Sequence, residues 1–242
     1  FNVKGNALFP KICEDLDVTF NKCGSLTVAI NEAQMVVLKD LQERGKVNGV
    51  ETVILSQEEL RKKEPNISKE ALGALFCPTA GVVDPFNIVA HCAENAVDNG
   101  VILHLNEEVT LVKPNKEGFI VKTSKDTYEA KCVINAAGLY SEEIAKMIEP
   151  ISWHITPRKG EYVVFDHFAP GFVNSSLFPL PSEKGKGILV SLTSSGNYYI
   201  GPSSEPIDSK DDLSTDSLTL AEVKRQATLL VPNIPWREQI RT

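Results

Sequence analysis

The spacing of apolar positions changes several times along the chain, and each change marks an element. Val3, Ala7, Leu8, Ile12 and Leu16 recur at helical spacing, which predicts an amphipathic helix over about 2–16. Residues 17–30 then alternate and close in Ser25-Leu26-Thr27-Val28-Ala29-Ile30, a strand pattern. Asn31 followed by Gln34 has capping-box spacing for a helix through Met35, Val36, Leu38 and Leu41 to about Lys46, stopped at Asn48-Gly49. Ser56 with Glu59 opens a shorter helix that ends before Pro65; its charged residues over 57–64 read as a solvated face. Residues 72–77 predict a strand and Thr79-Ala80-Gly81 a turn. Asp84 before Pro85 is a strong helix start, because the carboxylate accepts free amides and proline suits the first helical position. Capping accounts for Asp84 without a catalytic role. The helix it opens carries Ile88, Val89, Cys92, Ala93 and Ala96 on one face and ends at Asn99-Gly100, with His91 inside it as a surface or core histidine.

From Val101 the pattern becomes extended, with strands expected over 101–105, 108–113, 119–123 and 128–135, and turns at 114–118 and 124–126. The last strand runs through Cys132-Val133-Ile134 into Asn135-Ala136-Ala137-Gly138 and then a helix near 141–148, ended by Pro150. Small side chains let a backbone approach a ligand closely, and the following helix can direct amides at an anion. A plain strand-to-helix turn packed with small residues is the alternative. Residues 154–202 read as mainly extended: one long strand over 155–165, then 176–179, 187–192 and 198–201, with a hairpin turn at 194–197. These strands are expected to form an antiparallel sheet, one face of which walls a ligand pocket. Residues 203–217 read as an exposed polar loop and 218–230 as a helix closed by Val231-Pro232-Asn233. The chain shows no internal repeat and no low-complexity stretch.

Composition narrows the class. With 242 residues, 42% hydrophobic and 24% charged, the chain can bury a large core as one domain or two intimate ones. A net charge of −7 argues against nucleic acid or an anionic membrane as the main partner. Cys13, Cys23, Cys77, Cys92 and Cys132 are scattered and contain no C-x-x-C, and the four histidines lack ligand spacing, so no metal is expected. A reduced, cytoplasmic setting follows, with no apolar run long enough to span a bilayer. No Ser/His/Asp or Cys/His arrangement is evident, and catalytic residues remain unassigned. Phe1 and the uncapped Gln239-Ile240-Arg241-Thr242 read as cut edges, so a piece of a longer protein is expected.

Cys132-Val133-Ile134-Asn135-Ala136-Ala137-Gly138 resembles the second flavin-contact motif of the FAD-dependent oxidoreductases of the D-amino-acid-oxidase superfamily. Gly81-Val82-Val83-Asp84-Pro85 is similar to the segment opening the helix before that family's meander, and Pro157-Arg158-Lys159-Gly160-Glu161-Tyr162 to its strand after the motif. Together with Phe178-Pro179-Leu180-Pro181, Gly185-Lys186-Gly187-Ile188-Leu189-Val190 and Ile200-Gly201-Pro202, these resemble the bacterial glycerol-3-phosphate dehydrogenase branch. The family's opening G-x-G-x-x-G does not occur here (Gly185-Lys186-Gly187 reads as a hairpin turn), and neither does its closing glycine-rich segment.

The resemblance implies an α+β fold: an antiparallel substrate-domain sheet with helices, plus the β-meander part of an FAD-binding α/β domain. It divides the chain into 1–80 and 151–242 as substrate domain and 81–150 as the partial FAD-binding domain. Val109 is implied in main-chain contact with the adenine side of FAD, and Ala136, Ala137, Gly138 and Leu139 in close approach to it. Tyr140 stands where the family often has Trp. Arg158, Lys159, Tyr162, Phe178, Ser191 and Thr193 are substrate-pocket candidates from inward-facing strand positions, with a cation to pair with a phosphate or carboxylate. The implied reaction moves hydride from a small anionic substrate to flavin, with glycerol 3-phosphate first, and a 2-hydroxy acid such as 2-hydroxyglutarate or an amino acid as alternatives. A binding domain without cofactor is a third reading. A quinone or other electron acceptor, peripheral attachment of the full-length protein to a membrane, and self-association through an unpaired sheet edge complete the expectations. FAD is expected in the full-length protein and not in these 242 residues alone.

Overall fold

The computed structural model describes residues 1–167, 170–181 and 187–242. In chain order the elements are α1 (Asn2–Asp15), β1 (Phe20–Asn21), β2 (Ser25–Ala29), α2 (Glu32–Val47), β3 (Val53–Ser56), α3 (Gln57–Lys63), β4 (Gly73–Cys77), β5 (Val82–Val83) and α4 (Pro85–Asp98). There follow β6 (Val109–Pro114), β7 (Phe119–Thr123), β8 (Thr127–Ala130), a 3-10 turn (Gly138–Tyr140), α5 (Ser141–Lys146) and β9 (Arg158–Lys159). The last part holds β10 (Val163–Phe165), β11 (Ser176–Pro179), β12 (Leu189–Leu192), β13 (Tyr198–Gly201), β14 (Glu205–Pro206), α6 (Ser217–Leu230), a 3-10 turn (Trp236–Glu238) and β15 (Gln239–Arg241). The mixture of helices and sheets is the α+β class the sequence implies. Two compact units contain them: the first is 1–96, 160–205 and 214–242, the second 97–159 and 206–213.

The first unit is built on an eight-stranded sheet in the order β15-β10-β13-β12-β11-β2-β4-β3. Side chains alternate across a strand. One face therefore gathers Val163, Ile200, Val190, Leu177, Leu26 and Ala74, which pack with Leu60 of α3 and Val223, Ala227 and Leu230 of α6 as the main core. On the other face α2 covers the β3–β4 end through Leu38, with Leu75, Met35, Leu41 and Ile54. The sheet is not wholly antiparallel as expected. At its centre β2 and β11 run parallel, with Ser25 opposite Ser176 and Val28 opposite Pro179. These strands are not successive in sequence, so the hairpin geometry that enforces antiparallel pairing does not apply to them.

Local side-chain caps fix the helix starts. Asn31 accepts the Gln34 amide at 2.9 Å, while the Gln34 side chain bonds the amide of Ile30 and not that of Asn31. Ser56 and Glu59 form the full reciprocal box. Asp84 Oδ1 accepts the amides of Phe86 and Asn87 at 2.8 and 3.0 Å, and Asp216 caps α6 by accepting from Thr219 at 2.7 Å. At the end of α3, the buried Glu64 accepts the Asn174 amide at 2.9 Å.

Four extended stretches differ from expectation. The 155–165 pattern gives two short strands, broken at Gly160-Glu161, where Glu161 and Ser203 exchange hydrogen bonds at 2.9 and 3.1 Å. The strand expected over 187–192 begins at Leu189; the hairpin reading of Gly185-Lys186 lies outside the described residues. In the second unit β6, β7 and β8 form the expected meander. Residues 101–105 are not a strand, and β8 stops at Ala130 and not at 135. No strand of the described residues lies beside either segment, and most of their apolar side chains stay exposed, Ile102 at 79% and Ile134 at 87%. A strand without a neighbour has no ladder to satisfy its backbone.

Candidate functional site

In the second unit, residues 135–141 make a tight turn whose shape comes from Asn135. Its Nδ2 donates to the Ser141 carbonyl at 2.8 Å, and its Oδ1 accepts the Ala137 amide at 3.3 Å, clipping both ends together. The Tyr140 amide closes on the Ala137 carbonyl at 2.9 Å. Gly138 has φ +55°, and a Cβ there would meet nothing within 4 Å. Glycine is favoured by the left-handed backbone, and the space beside it is open. Ala136, Ala137 and Leu139 are exposed on the same turn. Val109 is half-buried at the start of β6, opposite Thr123, where the register shifts before Leu111.

The helix after the turn does not serve an anion. It has six residues and carries Glu142 and Glu143 in its first turn. Glu142 is buried and accepts from the Ile155 amide at 2.7 Å, from Lys146 Nζ at 2.5 Å and from His154 Nδ1 at 3.0 Å. These bonds, the Ile155 amide first, hold its carboxyl down at about 2. Glu143 pairs with Lys210, which also lowers its pKa. The turn therefore offers small side chains and main chain, not a phosphate cradle.

In the first unit, the sheet face opposite α3 and α6 carries a row of hydroxyls. Ser25 stands opposite both Cys77 and Ser176, the Ser176 and Ser191 hydroxyls share a hydrogen bond of 2.7 Å, and Ser191 stands opposite Tyr199. The Tyr199 ring lies 6.0 Å from that of Tyr162. Partial burial raises the pKa of the Tyr162 phenol, with Tyr199 adding to it, so it remains an uncharged donor at neutral pH. Ser25, Thr27, Phe178, Pro179 and Pro181 line a cavity of about 240 Å³.

Phe178, Ser191 and Tyr162 thus belong to the first unit, with Phe178 on the cavity and Ser191 fully buried beneath the face. Thr193 sits in the β12–β13 turn, where its Oγ1 accepts the Asn197 amide at 3.1 Å. Arg158 and Lys159 belong to the second unit; Lys159 is held by Asp212 at 3.0 Å, and Arg158 is exposed. Sequence reading missed Ser25, Thr27, Ser176 and Tyr199. Strand alternation was the available signal, since each neighbours a core residue. It also missed Glu142, which nothing in the local sequence marks as buried.

Among the described residues there is no cluster of His, Cys, Asp and Glu able to hold a metal, and no helix long and apolar enough to cross a membrane. The family model for FAD-dependent oxidoreductases (DAO) matches residues 1–242, and the chain belongs to that family. It is 40% identical over 235 residues to a glycerol 3-phosphate dehydrogenase of Caloramator mitchellensis, covering 96% of this chain and 49% of that protein. It is 30% identical over 207 residues to the L-2-hydroxyglutarate dehydrogenase of Escherichia coli K12, covering 84% of this chain and 48% of that one. The dithionite-reduced L-alpha-glycerophosphate oxidase of Mycoplasma pneumoniae with FAD bound superposes with a TM-score of 0.89 at 26% identity, over 99% of this chain and 65% of that chain. The chain spans about half the length of the curated relatives it matches. FAD is the cofactor of the family. The exposed Ala136 and Ala137 and the open left-handed Gly138 fit the close approach of a flat ligand to main chain.

Proposed function

We propose that the chain is the central part of an FAD-dependent dehydrogenase that oxidises glycerol 3-phosphate to dihydroxyacetone phosphate. The observation that carries this reading is the 40% identity, over nearly the whole chain, to a glycerol 3-phosphate dehydrogenase. In this reading the second unit is the part of the FAD-binding domain that Val109, Ala136, Ala137, Gly138 and Leu139 contribute, and the first unit is the substrate domain. FAD, when bound, would accept the hydride released from the carbinol carbon. The chain's own share is binding and orientation. Tyr162, Tyr199 and the Ser25–Thr27 hydroxyls suit neutral polyol oxygens, and Phe178 with Pro179 and Pro181 excludes water from the cavity wall. Among the described residues that line the cavity there are hydroxyl and apolar side chains and no cation.

Activity of the whole protein on a panel of glycerol 3-phosphate, L-2-hydroxyglutarate and amino acids, with a dye acceptor, tests this. Turnover of glycerol 3-phosphate with a kcat/KM well above the others is the expected result, and inactivity on it overturns the reading. A 2-hydroxy acid substrate is the second reading, favoured by the 30% identity to the Escherichia coli enzyme; the same panel decides between them.

A further inference from the structure

The second unit is made of two pieces of chain, and its shorter piece, 206–213, lies directly on the turn. The Ile207 amide donates to the Pro157 carbonyl at 3.2 Å. Lys210 Nζ donates to the Leu139 carbonyl at 2.6 Å and to Glu143 Oε1 at 2.5 Å, and lies 5.1 Å from the centre of the Tyr140 ring. The Tyr140 hydroxyl donates to Asp211 Oδ1 at 2.7 Å. Asp212 holds Lys159 at 3.0 Å. Lys210 and Asp211 thus tie a segment with little regular structure to the residues around Gly138, across roughly 70 residues of intervening chain, while Ile207 and Asp212 tie it to Pro157 and Lys159.

Their chemistry is matched to the turn. A 3-10 turn leaves carbonyls without helical partners, and Leu139 has one of them. An ammonium supplies a charge-assisted bond to that oxygen. It also neutralises Glu143, one of the two carboxylates beside the turn. Lys210 is only 17% exposed despite its length, so its stem is packed and its head committed. Asp211 fixes the Tyr140 ring through its hydroxyl, raising the phenol pKa.

We propose that Lys210 and Asp211 are positioning residues for the cofactor turn: segment 206–213 is a strap that holds Ala136–Tyr140 in the shape that meets FAD. The proposal rests on the reading of that turn as a flavin contact. It also gives Tyr140 a role as the anchor post that the strap grips.

Two measurements separate the strap from that reading. Hydrogen exchange of the 137–141 amides in the 242-residue chain should quicken about tenfold in Lys210→Ala and less in Tyr140→Phe, which removes one hydroxyl and leaves the ring. In the whole protein, the dissociation constant for FAD should rise about tenfold in Lys210→Ala and Asp211→Ala, with a shifted flavin absorption band, and Lys210→Arg should restore most of the affinity. Unchanged amide exchange overturns the strap. Unchanged FAD affinity in the Lys210 and Asp211 variants, alongside weakened affinity in Gly138→Val, overturns the positioning role while leaving the cofactor turn in place. Unchanged affinity in all three overturns the cofactor reading of the turn itself.

Discussion

Two buried glutamates carry opposite charge economies, and each predicts a different response to pH. Glu142, with a folded pKa of about 2 against 4.5 for a free glutamate, is favoured as the carboxylate. Its contribution to stability is complete above pH 4.5 and is lost as pH falls from there towards 2. Urea denaturation from pH 6 to 2 should show Glu142→Gln less stable than wild type at pH 6, with the gap closing below pH 4.5. A gap independent of pH would contradict the ion-pair account. Glu64 is the reverse case, because burial raises its pKa above 4.5 against the pull of the Asn174 amide. Its protonated form suits the fold, so its contribution is greatest below pH 4.5 and is lost as pH rises towards the folded value. Glu64→Gln keeps an acceptor for Asn174 without the charge and should lose this slope, remaining at least as stable as wild type at pH 7. Glu64→Ala strands the Asn174 amide and should cost about 1–3 kcal/mol in the same titrations.

At the scale of elements, what is local in the chain is local in the fold. The caps at Asn31, Ser56, Asp84 and Asp216 act on amides within three residues, and three of them were legible as spacing alone. Asp216→Ala should therefore lower stability by about 1 kcal/mol, measured as a shift in the denaturation midpoint without a change in its slope. Leu177→Ala, which empties a fully buried position in the central strand of the first unit, should cost about 2–5 kcal/mol in the same assay. Partnership between distant elements was not legible. Residues 101–105 and 132–135 have strand composition, but no strand of the described residues lies beside them, so pattern named an element that the backbone does not complete. Segment 203–217 reads as an exposed polar loop because its Lys and Asp side chains find their partners some 70 residues away in sequence. The alternating hydroxyls of β2, β11 and β12 needed the register between strands before they became one surface.

At the scale of the whole molecule, the turn at 135–141 and the family were both legible in the sequence. We expect the purified 242-residue chain to be colourless, since the sequence contains no G-x-G-x-x-G loop for the pyrophosphate; stoichiometric absorbance near 450 nm would contradict this. We also expect concentration-dependent self-association, driven by exposed Ile102, Leu103, Leu105 and Ile134. Sedimentation should show Ile102→Lys with Ile134→Lys shifting the chain towards monomer, and a wild type monomeric at every concentration would exclude it. The parallel seam between β2 and β11 bears on how such a chain is made. Its two strands lie roughly 150 residues apart, and the sheet has no centre until both are present. On a ribosome, β2 and β4 would emerge as an early antiparallel pair and wait, with one edge unmet, while roughly 100 further residues are made. Chaperone dependence should then follow the length of that wait, and slower elongation between the two strands should lower the yield of folded chain.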